Sequence, residues 1–121
     1  MFRRIVFLTT LLLFLGVTLC SADNWEQVDK NTWFDTDSIQ TDANGHTKAV
    51  VREYRPDNMY YSISLLIDKS TGQYCYEKVE LYNINGRHYG ESQVDPKERN
   101  SWLAYSVDNR LISGIIERAG R

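Results

Sequence analysis

Alternating apolar and polar residues run through most of the chain from position 25 to position 93, and this pattern predicts β-strands. The clearest case is segment 60–68, in which every second residue would face a core: Tyr61, Ile63, Leu65 and Ile67. Other strand signals cover segments 25–28, 32–35, 38–40, 47–55, 73–83 and 87–93.

Turn sequences separate these segments. Asn44-Gly45 and Asn85-Gly86 can supply the positive φ angles that a tight hairpin needs. Segments 56–58 and 69–72 are rich in the residues that favour turns. We therefore expect an antiparallel meander of about five to six strands.

The period of the pattern changes after Pro96. Apolar residues then follow one another at spacings of four, one, three and one, which is typical of one face of a helix: Val107, Leu111, Ile112, Ile115 and Ile116. Ser106 is expected to cap the first turn, and Gly120 is expected to end the helix. A C-terminal helix packed on one face of the sheet gives an α+β fold.

The first 22 residues have the features of a secretory signal peptide. Arg3 and Arg4 precede an apolar run that is too short to anchor the chain in a membrane, and Cys20-Ser21-Ala22 fits a cleavage site. The alternative is lipid attachment at Cys20, which Leu19 argues against because lipidation motifs place a small residue before the cysteine. We expect an exported protein in the periplasm, on the cell surface or outside the cell.

Residues 23–121 have the length of a single domain. The first 22 residues hold two of the 14 basic residues and none of the 16 acidic ones, so residues 23–121 carry a formal charge of −4. A binding surface for nucleic acid needs clustered lysine and arginine, so nucleic acid is not an expected partner.

Cys75 would be the single cysteine left after cleavage. Strict alternation places Cys75 on the side of strand 73–83 that faces the helix, together with Glu77, Val79 and Leu81. Without a second cysteine at C-x-x-C spacing, the pattern favours a buried thiol. The alternatives are an interchain disulfide, which would make the protein a homodimer, and a reactive thiol.

The same alternation places tyrosines on the outward side of this strand, where they form the candidate binding residues: Tyr74, Tyr76 and Tyr82. Tyr54 and Tyr60 are candidate neighbours. Tyrosine offers a large amphipathic contact area at low entropic cost. Stabilisation of the sheet by cross-strand pairs is the alternative role.

No motif points to catalysis or to a cofactor. Ser38 lies near Asp35 and Asp37, but no histidine is close in sequence, so a turn that closes a strand is expected. His46 and His88 lack a second ligand at the spacing of known metal motifs. We therefore predict no metal site and no enzymatic activity.

The order of several short motifs resembles the surface-adhesin protein E family of bacterial envelope proteins. These motifs are Trp25-x-x-Val28, the run from Trp33 to Ile39, an Asn-Gly loop, a tyrosine-rich strand with one cysteine, the run from Tyr82 to Gly86, and Trp102 shortly before Ser106 and an apolar helix. The resemblance implies an antiparallel sheet packed on a terminal helix. It also implies an exported or surface protein that binds host-matrix components.

Two departures from the family pattern concern the end of the chain. In the family, the strand cysteine is commonly paired with one near the C-terminus, but this chain ends without one, so Cys75 looks like half of a missing disulfide. Before the helix the family tends to place Pro-Gly-Ser, where this chain has Ala104-Tyr105-Ser106.

The leading hypothesis is therefore a non-enzymatic envelope protein that binds a host-matrix protein or another macromolecule. A small-ligand or inhibitor module of the periplasm and a thiol enzyme are the alternatives.

Overall fold

The computed structural model describes residues 24–120 of the 121-residue chain. The expected signal peptide, Cys20 included, lies outside the described residues. Eight strands form one open antiparallel sheet, and a helix follows them: β1 Trp25–Gln27, β2 Thr32–Asp35, β3 Gln40–Thr41, β4 Thr47–Tyr54, β5 Met59–Asp68, β6 Gln73–Asn83, β7 His88–Gln93, β8 Leu103–Ala104 and α1 Arg110–Ala119. Within residues 24–120, no helix has the length and apolar character needed to cross a membrane.

The strands lie in the order β1-β2-β4-β5-β6-β7, so neighbours in the sheet follow one another along the chain except at β3. The short strand β3 pairs with the start of β4, and β8 pairs with the start of β6. The expected α+β fold and its meander are confirmed. Strand β3 overlaps the expected segment 38–40 at Gln40, and the two-residue strand β8 was not expected.

The expected hairpin turns are present. Gly45 and Gly86 have φ angles of 81° and 90°, which the Asn-Gly sequences allow because glycine has no Cβ to clash in this region. Each turn is also held by the side chain before it, since Asp42 accepts from the His46 amide and Asn83 accepts from the Arg87 amide.

The core lies between one face of the sheet and α1. Its buried residues come from β2, β4, β5 and the helix: Phe34, Ala49, Val51, Ile63, Leu65, Ile67, Ile112 and Ile115. We call this side of the sheet the helix face and the other side the outer face.

A β-bulge in β6 changes which side chains face the helix. Ser64 pairs with Lys78 and Leu65 pairs with Tyr76, so Glu77 has no partner residue in β5. The side chains of β6 before Glu77 therefore point to the face opposite to the one that strict alternation predicts. Val79 packs against the core as expected, but the expectation that Cys75 faces the helix is wrong. Cys75 is opposite Leu66 and lies on the outer face.

The helix begins later than the apolar spacing predicts. Asn109 is its N-cap, because its side chain accepts a hydrogen bond from the Ile112 amide at 3.0 Å. The hydroxyl of Ser106 instead accepts from the Asp108 amide in the preceding turn. Val107 is 90% exposed and is not part of the core. Gly120 lies at the C-cap, as expected.

Two polar contacts, and close packing of the helix against β2 at Gly114, hold α1 on the sheet. Arg118 Nε lies 2.7 Å from a carboxylate oxygen of Glu26, and Arg110 donates to the carbonyl of Val28 at 2.6 Å. A Cβ added to Gly114 would lie 3.3 Å from the ring of Phe34, so the missing side chain lets the helix approach β2 closely.

Candidate functional site

The outer face carries a row of aromatic side chains at the end of the sheet where β4 ends and β5 begins. Strands β1, β2, β4, β5 and β6 contribute these partly exposed residues, which we call the aromatic band: Trp25, Trp33, Arg52, Tyr54, Tyr60 and Tyr82. Since α1 packs on the opposite face, it leaves the aromatic band uncovered.

Arg52 lies between two rings of the band. Its guanidinium carbon is 4.6 Å from the ring centroid of Trp25 and 4.8 Å from that of Tyr60. Both distances are within the range of cation–π attraction. Arg52 therefore joins the ring on β1 to the rings on β5 and β6.

Cross-strand pairing produces the tyrosine part of the band. Tyr60 is opposite both Tyr54 and Tyr82, with ring centroids 5.4 Å and 5.5 Å away. The rings of Tyr60 and Tyr82 are nearly parallel, and the ring of His88 meets that of Tyr82 edge-on at 5.2 Å. With strands about 4.8 Å apart, the band extends over roughly 19 Å from β1 to β6.

A cleft of about 220 Å³ opens at the β1 end of the band. Its walls are four of the band residues, Trp25, Trp33, Arg52 and Tyr54. Most of the wall is aromatic, and the single charge belongs to an arginine that is already held by stacking. The cleft has room for one large side chain of a partner.

The three tyrosines expected to share the outer face do not do so. Tyr82 belongs to the band, and Tyr54 and Tyr60 are its neighbours as expected. Tyr74 packs against the core on the helix face, and Tyr76 is on the same side, beside the start of α1. The bulge at Glu77 is the cause of this separation.

Trp25, Trp33 and Arg52 were not among the residues expected from the sequence to bind a partner. Strict alternation from the buried residues Phe34 and Val51 would have placed Trp33 and Arg52 on the outer face, so the sequence did carry that signal.

A loop covers the other end of the outer face. The indole of Trp102 donates to the carbonyl of Pro96 at 2.7 Å, and its ring lies 4.9 Å from that of His46. Under this end of the face, Leu66 and Cys75 are 3% and 1% exposed. The outer face is thus divided into a covered part and the uncovered aromatic band.

A cavity of about 470 Å³ lies beside this loop, with His46 and Trp102 in its wall. His46 Nδ1 is 3.6 Å from Asp42 and its Nε2 is 3.9 Å from Asp68. A hydrogen bond from the His46 amide lowers the pKa of Asp42, and one with the Ser70 side chain lowers the pKa of Asp68. Both carboxylates are thereby kept ionised.

Ser38 has a structural role, as its turn chemistry predicts. Its hydroxyl donates to the carbonyl of Asp35 at 2.7 Å and accepts from the amide of Val50 at 2.8 Å. Asp35 accepts from the Asp37 amide and caps the short 3-10 turn that leads to β3. These bonds join the turn to β4.

Cys75 is a free, buried cysteine, and its burial was expected. Removal from water raises the pKa of its thiol, and the charge of Glu77 raises it further. A thiol that stays protonated at neutral pH is a poor nucleophile.

We expect Cys75→Ala to lower the free energy of unfolding by about 1 kcal/mol, and Cys75→Ser to lower it more because a buried hydroxyl needs a partner. In the native protein the thiol should react slowly with an alkylating reagent, and it should react rapidly after unfolding. Mass spectrometry of the alkylated protein measures both rates. Rapid native alkylation, or a disulfide-linked dimer on a non-reducing gel, would contradict the buried position.

One group of described side chains has a donor set suited to a metal ion: Glu80, His88 and Glu91. Their ligand atoms all lie within 4.8 Å of one another at the β6–β7 edge of the outer face. The sequence predicts no metal site, and His88 has no second ligand at the spacing of known metal motifs.

Comparison of the chain with protein-family models, with curated proteins and with solved structures finds no match.

Proposed function

We propose that the protein is an exported binding module of the bacterial envelope, which acts by contact with another protein and not by catalysis. The observation that carries this proposal is the aromatic band on the uncovered half of the outer face. The N-terminal apolar run supports export, and the resemblance to the surface-adhesin protein E family supports a host-matrix or envelope protein as the partner.

The band has the properties of a surface that binds proteins. Tyrosine, tryptophan and arginine are the residues that most often dominate binding energy at interfaces. In the band these side chains are already held by stacking on one another, as the 18° angle between the rings of Tyr60 and Tyr82 shows. Less side-chain freedom is then lost on binding, which favours affinity.

The dimensions of the band fit an extended segment of the partner. A row of roughly 19 Å matches about six residues of extended chain. Such a segment would cross the strands and place one large side chain in the cleft beside Trp25 and Trp33. The partner's remaining contacts would then lie along Tyr60 and Tyr82.

Pull-down from host-matrix and envelope extracts, followed by affinity measurement with the partner recovered, tests this function. We expect Tyr60→Ala and Tyr82→Ala each to weaken binding by roughly tenfold or more, as truncation of a central aromatic residue costs about 2 kcal/mol. Tyr76→Ala is the matched control, because Tyr76 is an exposed tyrosine on the opposite face. Equal losses in all three variants would contradict a role for the band.

Cell fractionation with protease treatment of intact cells tests the location. A protein on the surface should be cleaved, whereas a periplasmic one should be protected. The second result would favour an envelope partner over a host-matrix partner.

A second candidate function is binding of a small ligand in the periplasm. The cavity beside His46 and Trp102 supports it, because about 470 Å³ is within the usual size range of ligand sites. Under this alternative, Trp102→Ala should abolish ligand binding and the band variants should leave it unchanged.

A further inference from the structure

We propose that Glu80, His88 and Glu91 form a binding site for a divalent transition-metal ion of the zinc type. The site adjoins the aromatic band at Tyr82, but the proposal does not depend on the function proposed for the band.

A second β-bulge creates the arrangement. Leu81 pairs with Gly90 and Tyr82 pairs with His88, so Tyr89 has no partner in β6. In a regular strand His88 and Glu91 would point to opposite faces, since they are three residues apart. The extra residue brings both side chains to the face on which Glu80 lies, directly opposite Glu91.

The distances between the donor atoms fit a metal site better than they fit hydrogen bonds. His88 Nε2 lies 3.5 Å from Glu80 Oε2 and 3.7 Å from Glu91 Oε1. Charge-assisted hydrogen bonds between nitrogen and oxygen are about 2.7–2.9 Å long, so neither contact is one. Ligands about 2.0–2.2 Å from a tetrahedral zinc ion are roughly 3.4 Å apart. The third separation, between the carboxylate oxygens of Glu80 and Glu91, lies within 4.8 Å, so side-chain rotation would bring the three donors to these spacings.

The charges favour a cation at this position. Two carboxylates directly opposite each other on neighbouring strands repel. Lys78 Nζ, at 3.8 Å from Glu80 Oε2, offsets part of this repulsion and would be displaced by the metal. Imidazole with two carboxylates suits zinc and similar ions, whereas magnesium and calcium prefer sites made of oxygen donors alone.

Neighbouring side chains orient the two carboxylates. The hydroxyl of Tyr82 donates to Glu80 Oε2 at 3.1 Å, and the amide of Gln93 donates to Glu91 Oε2 at 2.7 Å. The second bond leaves Glu91 Oε1 directed at His88. Partners of this kind fix the ligands of metal sites and strengthen binding.

His46 provides an internal comparison, because it also lies near two carboxylates. There the two contacts involve different ring nitrogens, Nδ1 with Asp42 and Nε2 with Asp68, so the donors surround the ring. At His88 both carboxylates face the same nitrogen. Convergence on a single point is what a metal ion requires.

Titration of the protein with zinc chloride, followed by calorimetry and by NMR of the imidazole nitrogens, tests the site. We expect one saturable zinc ion per chain, a shift of the His88 Nε2 resonance, and no comparable binding of magnesium. His88→Gln and Glu91→Gln should each weaken zinc binding by at least about tenfold. His46→Gln is the matched control and should bind zinc as the unaltered protein does.

Thermal melts without zinc check that each variant folds, and zinc should raise the melting temperature of the unaltered protein but not that of His88→Gln. The proposal is overturned if no saturable binding occurs below about 1 mM zinc, or if His46→Gln rather than His88→Gln loses binding. Loss of partner binding in Tyr60→Ala with intact zinc binding would affect only the proposed function, because Tyr60 has no contact with the three ligands in the described structure.

Discussion

Replacing Ile112 or Ile115 with aspartate should unfold the protein at room temperature. The two side chains are 2% and 0% exposed and lie in the core between α1 and the sheet. Each substitution removes burial worth about 1.5–3 kcal/mol and places a carboxylate in apolar surroundings without a partner. Together these costs approach the total stability of a domain, which is about 5–15 kcal/mol.

Circular dichroism as a function of temperature measures the effect. Val107→Asp is the matched control, because Val107 is 90% exposed and precedes the helix, and its melting temperature should be nearly unchanged. An unchanged melt for both core variants would show that this side of α1 does not pack on the sheet.

Phe34→Ala should have the second largest effect, a loss of about 3–5 kcal/mol in the free energy of unfolding. Phe34 is fully buried on β2 and contacts the helix beside Gly114. Urea denaturation measures the loss. Trp33→Ala is the control from the adjacent position, since Trp33 is on the outer face and only partly buried, and it should cost clearly less.

Gly114 allows the packing of Phe34 to be tested further. Alanine at this position gains about 1 kcal/mol of helix propensity, but its Cβ would lie 3.3 Å from the Phe34 ring. Gly114→Ala should therefore stabilise the Phe34→Ala variant more than it stabilises the unaltered protein. Equal effects in the two backgrounds would mean that the two positions do not interact.

The parts of the fold that follow from local sequence were predicted well. Strand β6 has the expected bounds, Gln73–Asn83, because turn residues fix both of its ends. The hairpins at Gly45 and Gly86 follow from the need for a positive φ at one position of each turn, which glycine supplies most readily. The helix followed from its apolar spacing. Its start did not, since Ser106 and Asn109 are both good caps and the sequence does not distinguish them.

The candidate site was predicted only in part, because it depends on register. Tyr82 and its neighbours Tyr54 and Tyr60 follow from alternation within single strands. The positions of Tyr74 and Cys75 depend on the bulge at Glu77, and that bulge arises from the fit between β5 and β6. Likewise, His88 and Glu91 are three residues apart, and their sequence spacing alone places them on opposite faces.

Because of the two bulges, the number of residues in β6 and β7 matters as much as the identity of those residues. Removing Glu77 would take out the bulge in β6 and leave Cys75 and Tyr74 on their present faces, because Cys75 and Val79 would then be three residues apart in a regular strand. A one-residue insertion or deletion elsewhere in β6 or β7 would instead move every side chain on one side of it to the opposite face. Homologues one residue shorter at a bulge would therefore present the same surfaces, whereas homologues one residue shorter elsewhere in these strands would not.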